Sequence, residues 1–463
     1  MTVVNQPLRS AMAVLTTALA TAVTVCPGAA AVAPPQVDSS AAPPSGSAGP
    51  VAPMGQRGPC VTAGAMPGTD PAVVSPSQSL LNLPGAWAYS RGEGQSVAVI
   101  DTGVQPSPRL PAKPGGDFVE SGDGLTDCDG HGTLVAGLIA GRPGQDGFTG
   151  VAPAAQIIGI RQTSERYSPR GSGDDPMAAR AAIEVASLAR AVVRAADLGA
   201  QVIAITAVAC VPADKPVDQT ELGAALKYAA VEKNAVIVAA AGNDRAGLAG
   251  GPVCQANPVD NPGLPSDPRN WAGVRSVSIP SWWQPYVLSV GSLDQTGQPS
   301  DFTMPGPWVG IAAPGENIVS VGNSPSGALA NALPNDRGDL FALRSSSYAA
   351  AYVSGVAALV RSRFPELTAT QVIHRLTATA HGAARLPSNL VGFGIVDPVA
   401  ALTWELPAEV TAPPRPTAVT PPPAAAPKDN TGRTVAFAGA GGLVLVVLII
   451  TALIAHRRKD EIR

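Results

Sequence analysis

Short apolar runs alternate with helical stretches from residue 80 to about residue 402, and this alternation restricts the fold more than any other feature of the chain. Segments 96–100, 155–160, 201–206, 235–240, 286–290 and 308–312 have the length and composition of buried strands. Segments 132–140, 183–198, 221–233, 348–363 and 368–379 read as helices. A helix between two strands carries the chain back to its starting edge, so successive strands run parallel. Such strands are apolar throughout and need cover on both sides. The expected fold class is therefore α/β, in three layers, with a mainly parallel sheet covered by helices on both faces. In open parallel sheets, ligands bind at the carboxyl ends of strands. Asp101 stands at one such end, and Ala241-Gly242-Asn243 stands at another.

The ends of the chain are of a different kind. Arg9 precedes an apolar run over 11–25 and small residues as far as Ala33. This pattern predicts a secretory signal peptide over 1–33, cut near Ala31-Val32-Ala33. Residues 34–79 are dominated by Pro, Ala, Gly and Ser and have no period, which predicts an extended or loop-like N-terminal extension. The folded domain is assigned to 80–405. Residues 406–433, centred on Pro421-Pro422-Pro423, form a semi-rigid spacer. The run 435–455 is uncharged and, at 1.5 Å per residue, spans about 30 Å, so 434–455 is expected to cross a bilayer. His456, Arg457, Arg458 and Lys459 follow at once, which assigns the tail 456–463 to the cytoplasm and everything before the span to the outside. The expected localisation is the plasma membrane, single-pass, with the folded domain extracytoplasmic. The formal net charge is −3 and no basic stripe is present, which argues against nucleic acid as a partner.

Cysteine use agrees with export. Beyond Cys26 in the signal segment there remain Cys60, Cys128, Cys210 and Cys254, and none forms a Cys-x-x-Cys pair that would point to zinc. An even number in an exported chain favours two disulfides. Three pairings are open. We favour Cys60–Cys128 with Cys210–Cys254, the first tying the extension to a loop just before position 131. The acids Asp123, Asp127 and Asp129 lack the closing Glu of a calcium loop and are read as a solvated loop. No metal and no cofactor is expected.

The chemistry-bearing strings are Asp-Thr-Gly at 101–103, Asp-Gly-His-Gly-Thr at 129–133 and Ser-Tyr-Ala-Ala starting at Ser347. Of the four histidines, only His131 is flanked by glycines, which allow close approach of backbone and substrate. Aspartic proteases also carry Asp-Thr-Gly, but two copies must share a proton, and this chain has one. A serine hydroxyl becomes a nucleophile when a base removes its proton and a carboxylate orients that base. The order Asp, His, Ser separates this chain from other triad-bearing folds, which order the three differently.

On these motifs the chain resembles the subtilases, the subtilisin-like serine proteases, over roughly 80–402. Val99-Ile100-Asp101-Thr102-Gly103-Val104 matches the family's aspartate motif, and His131-Gly132-Thr133-Leu134-Val135-Ala136-Gly137 its histidine motif. Val238-Ala239-Ala240-Ala241-Gly242-Asn243 matches the strand ending in the oxyanion asparagine. The serine motif, Gly-Thr-Ser-x-Ala-x-Pro with a further Gly, reads Ser345-Ser346-Ser347-Tyr348-Ala349-Ala350-Ala351 and then Gly355. The resemblance implies a subtilisin-like three-layer fold with Ser347 as nucleophile, His131 as base and Asp101 as its orienting acid. It also implies an oxyanion hole made by the Asn243 side chain and the Ser347 N–H. The signal peptide, Cys-bearing extension, Pro-rich spacer and single span together resemble the mycosins, the membrane-anchored subtilases of actinobacterial type VII secretion.

Three positions depart from the common pattern: Ser345 and Ser346 replace Gly and Thr, Ala351 replaces Pro, and Ala204-Ile205-Thr206 stands where many relatives have Asn-x-Ser. They bear on efficiency and specificity and leave the reaction class unchanged. The expected function is an endopeptidase acting on exported protein or peptide beside type VII secretion components of the membrane. The alternatives are a structural subunit of a secretion complex, with weak or dispensable proteolysis, and an esterase using the same triad.

Overall fold

A computed structural model of the chain describes residues 32–171, 175–245, 253–384, 386–406 and 431–460. The signal segment, apart from Val32 and Ala33, lies outside the described residues, as do 407–430 of the spacer and the last three residues of the tail. The chain divides into a compact unit to residue 408 and a second unit that follows it.

Seven strands form the central sheet: β1 (Ser96–Asp101), β2 (Ala112–Asp117), β3 (Gln156–Arg161), β4 (Val202–Ile205), β5 (Val236–Ala240), β6 (Val287–Leu293) and β7 (Val309–Pro314). Their spatial order is β7-β6-β5-β4-β1-β3-β2, and every neighbouring pair is parallel. Side chains alternate between two cores, as the two-residue period of a strand requires. Val97, Val99, Val236 and Val238 face one core; Ala98, Ile100, Ile237 and Ala239 face the other. Helices α1 (His131–Ala140) and α4 (Ser346–Arg363) pack into the first, and α2 (Pro176–Asp197) and α3 (Thr220–Lys227) into the second. Helix α4 is buried from Ser346 to Arg361, which is why its sequence is small and apolar on every side. Helix α5 (Ala369–Ala378) follows, opened by a capping box between Thr368 and Gln371.

The sheet order reverses at β1, which has β3 on one side and β4 on the other. The crevice at such a switch point opens beyond the carboxyl ends of the strands. Three of these ends carry polar groups side by side: Asp101 on β1, Thr206 after β4 and Asn243 after β5.

Three local expectations are corrected, and one strand had no counterpart among them. The extension is not free of regular structure: Met54–Gln56 pairs antiparallel with Tyr167–Pro169, and Pro76–Leu80 is a helix capped by Ser75. These pieces are too short for a period to register. Edge strand β2 reads Ala-Lys-Pro-Gly-Gly-Asp, a sequence of turn residues, and was not anticipated. Helix α2 begins at Pro176 rather than 183, because its first turns face outward and carry no apolar stripe. The helix expected over 221–233 is α-helical to Lys227 and passes into a π-helical turn over Tyr228–Glu232.

Two disulfides join Cys60 to Cys128 and Cys210 to Cys254. The extension is also tied down by main chain, since Val61 N donates to Cys128 O at 2.9 Å and Ala63 N to Asn323 Oδ1 at 2.9 Å. In the second unit, helix α6 (Thr431–Asp460) contains Phe437–Ile454, which is long and apolar enough to cross a bilayer.

Candidate active site

Asp101 ends β1 completely buried, and its carboxylate is surrounded by donors. Thr102 N donates to Oδ1 at 2.7 Å, and Thr206 Oγ1 donates to Oδ2. His131 sits at the first position of α1, after Gly130 in the left-handed region (φ 79°). Gly132 allows the approach of helix to strand, because a Cβ there would lie 3.1 Å from both Cβ and Oδ1 of Asp101. His131 Nδ1 is 2.8 Å from Asp101 Oδ1. An ionised carboxylate only accepts, so Nδ1 carries the proton and Nε2 carries the lone pair. Nε2 is buried and, among the described residues, has no hydrogen-bond partner. An imidazole so placed can accept a proton at Nε2.

Each partner's charged form is favoured relative to the free side chain. Burial pushes the Asp101 carboxyl up, and the His131 charge and hydrogen bond, with Thr206 and Thr102, outweigh it, leaving it below its ordinary value. For His131, burial pushes down, and the Asp101 charge and hydrogen bond, helped by the charges of Asp127 and Glu165, leave the imidazole above its ordinary value.

Of the three acids read as a solvated loop, Asp123 is exposed, while the two nearest His131 are not. Asp127 and Asp129 are buried. Asp127 accepts from Gly130 N at 2.8 Å, Thr133 N at 2.8 Å, Thr133 Oγ1 at 2.6 Å and Thr102 Oγ1 at 2.8 Å, binding the start of α1 to the end of β1. Asp129 accepts from Ser164 Oγ at 2.5 Å and Glu165 N at 2.9 Å, and burial raises its pKa to about 6. Among the described residues no group of three or more His, Cys, Asp or Glu converges as a metal site would require.

Ser347 lies in the first turn of α4, which starts at Ser346 with Ser345 as its cap. Its Oγ donates to Thr206 O at 2.9 Å, so in this arrangement the hydroxyl is not bonded to His131. Tyr348 packs its ring 5.5 Å from the His131 ring, centroid to centroid. Asn243 follows Gly242, whose φ of 104° turns the chain out of β5. The Asn243 amide is fixed at its oxygen, which accepts from Ser346 N at 3.0 Å. Its Nδ2 donates to Ser345 Oγ at 3.0 Å, and Ser347 N donates to the same oxygen at 3.1 Å. Asn243 Nδ2 and Ser347 N therefore point at one position, and the Ser345 hydroxyl fills it.

A cleft of about 740 Å³ opens beside His131. Ala207–Ala209 after β4 and Gln162–Thr163 after β3 line its two sides. Val61 of the extension and Phe341 form part of its rim. Thr206 and Asp127 were not singled out as site residues from sequence. For Asp127 the available signal was its place four residues before His131.

A family model described as "Subtilase family" matches residues 92–394. Mycosin-3 of Mycobacterium tuberculosis is 62% identical over 459 residues, covering 98% of this chain and 99% of that protein. The solved structure of the MycP3 protease from the type VII (ESX-3) secretion system is 68% identical, with a TM-score of 0.78, and covers 81% of this chain and 100% of that one. A chain in the structure of an intact ESX-5 inner membrane complex is 44% identical, with a TM-score of 0.78, and covers 92% of this chain and 100% of that one.

Proposed function

This chain belongs to the subtilase family of serine proteases and, within it, to the mycosins, and from that premise we propose that it cleaves exported protein or peptide at the outer face of the membrane through an acyl-enzyme. The observation that carries the reading is the buried Asp101–His131 pair with a free Nε2, beside the start of the helix that bears Ser347. In the mechanism, Ser347 turns from Thr206 O to His131. Its Oγ bonds to the scissile carbonyl carbon while its proton passes to Nε2. The carbonyl electron pair becomes an oxyanion, held by Asn243 Nδ2 and Ser347 N–H. Collapse breaks the C–N bond, and the amine leaves with the proton from His131. Water repeats the sequence on the acyl-enzyme. Asp101 orients His131 throughout and stabilises its charged form.

The topology proposed with this activity has a signal peptide over 1–33, an extension over 34–79 and a catalytic domain over 80–405. A spacer over 406–433, a membrane-spanning helix over 434–455 and a cytoplasmic tail over 456–463 complete it. Its partners are type VII secretion components of the membrane. Likeness to a chain of the ESX-5 inner membrane complex favours a second reading, in which the folded domain is also a structural subunit of such an assembly. One variant separates the two. Ser347→Ala should abolish peptide cleavage by the full-length protein while membrane-complex recovery stays unchanged; retained cleavage would refute the catalytic reading, and loss of the complex would tie assembly to catalysis.

A further inference from the structure

Ser345 is not among the groups that hydrolysis requires, yet its hydroxyl is the hub of the site. It accepts from Asn243 Nδ2 at 3.0 Å and from Ser347 N at 3.1 Å, and it donates to Ser347 Oγ at 3.0 Å. The first two distances are those at which oxyanion donors hold their charge. We propose that the Ser345 hydroxyl occupies the oxyanion-binding point of the resting site, and that the substrate carbonyl oxygen must displace it before Ser347 reacts. This rests on the reading that Ser347 is the nucleophile and deepens it. Ser345 is thereby a positioning residue that slows turnover.

The surroundings make the occupation firm. Ser345 is fully buried, so its hydroxyl is shielded from bulk solvent. Its backbone is extended (φ −175°, ψ 155°), a conformation open to any residue, so the side chain brings no strain. Its N donates to Gly315 O at 2.9 Å, and its own O accepts from Tyr348 N at 3.2 Å. With the main chain held at both ends, only rotation about Cα–Cβ can move the hydroxyl. While it stays, it also engages Ser347 Oγ, whose own proton is directed at Thr206 O. Both oxyanion donors and the nucleophile are thus held by internal partners. Two oxygens cannot share one point, so the substrate oxygen gains the donors only by breaking the bonds they already make. A glycine at this position would leave the point open.

The test uses Ser345→Ala and Ser345→Gly in the full-length protein, the second because Gly is well tolerated at a helix cap. Three quantities are measured: kcat/KM on a peptide substrate, affinity for a peptide boronate that forms a tetrahedral adduct, and affinity for a product peptide. The expected result is a rise of about tenfold in kcat/KM and in boronate affinity, the scale of one net hydrogen bond, with product affinity unchanged. The gain should vanish when Asn243→Ala is added. A cap with only a structural role predicts a lower Tm with no gain in rate or boronate affinity, and that result in both variants would overturn the proposal. Cleavage that survives Ser347→Ala would instead remove the reading beneath it.

Discussion

At the scale of single residues, the site is governed by what each polar group does while no substrate is present. His131 gives Nδ1–H to Asp101 and keeps Nε2 free. In the proposed mechanism its neutral form is the base, and its pKa is raised above the ordinary 6.5. Activity should therefore rise with pH along an acid limb whose midpoint lies above 6.5. Asp101→Asn removes the charge that raises it, so the limb should move down in pH while kcat falls about 10⁴-fold, the scale known for this change in a trypsin-type triad. A pH–rate profile of both proteins checks this; a limb that stays in place in the variant would contradict the electrostatic role of Asp101. The three positions proposed as a triad, and Asn243, could be picked out from sequence because each lies in its own local string. The resting geometry could not. Ser345 was visible as a departure from a glycine pattern, but its rotamer depends on Asn243, Ser347 and Gly315, which the chain brings together only on folding.

At the scale of elements, short-range signals and tertiary demands diverge where the sheet ends. Strand β2 carries Pro114, Gly115 and Gly116, and shifts register against β3 between Pro114 and Gly116. Those residues read as a turn, and only the pairing with β3 makes them a strand. Gly115 is required by close approach, since a Cβ there would lie 2.6 Å from Gly159 O and 2.9 Å from an Ile158 methyl. Gly115→Val should destabilise the domain by about 1–3 kcal/mol in chemical denaturation, and an unchanged midpoint would sink the packing argument. The loop into α1 supplies a pH test. Asp129 keeps its proton to about pH 6 in the fold against 3.8 as a free side chain, so the folded state binds more protons between these values. Its contribution to stability is therefore lost as pH rises through that window. Asp129→Asn is neutral at every pH, so its Tm relative to the unmodified protein should become more favourable from pH 4 to 7. A difference that shrinks over that range would contradict the assignment.

At the scale of the whole molecule, the extension is part of the folded unit rather than a leader hanging from it. It pairs with Tyr167–Pro169, meets Asn323 through Ala63, and is bonded covalently to Cys128, three residues before His131. The composition of 34–79 concealed this, because Pro, Ala, Gly and Ser carry no period; Cys60 was the one signal that the segment is pinned. The Cys60–Cys128 bridge closes a separation of 68 residues, worth about 4 kcal/mol on the chain-entropy account. Replacing both cysteines by serine should lower Tm and expose the extension to limited proteolysis, and a protease-resistant extension would show that its non-covalent contacts suffice. The proposal common to all three scales is that Ser347, activated by His131 and Asp101, is the nucleophile. The most direct measurement is covalent capture with a peptidyl fluorophosphonate, followed by mass mapping of the modified residue. The account predicts a single adduct on Ser347, formed far more slowly in His131→Ala; an adduct elsewhere, or an undiminished rate in that variant, would contradict it.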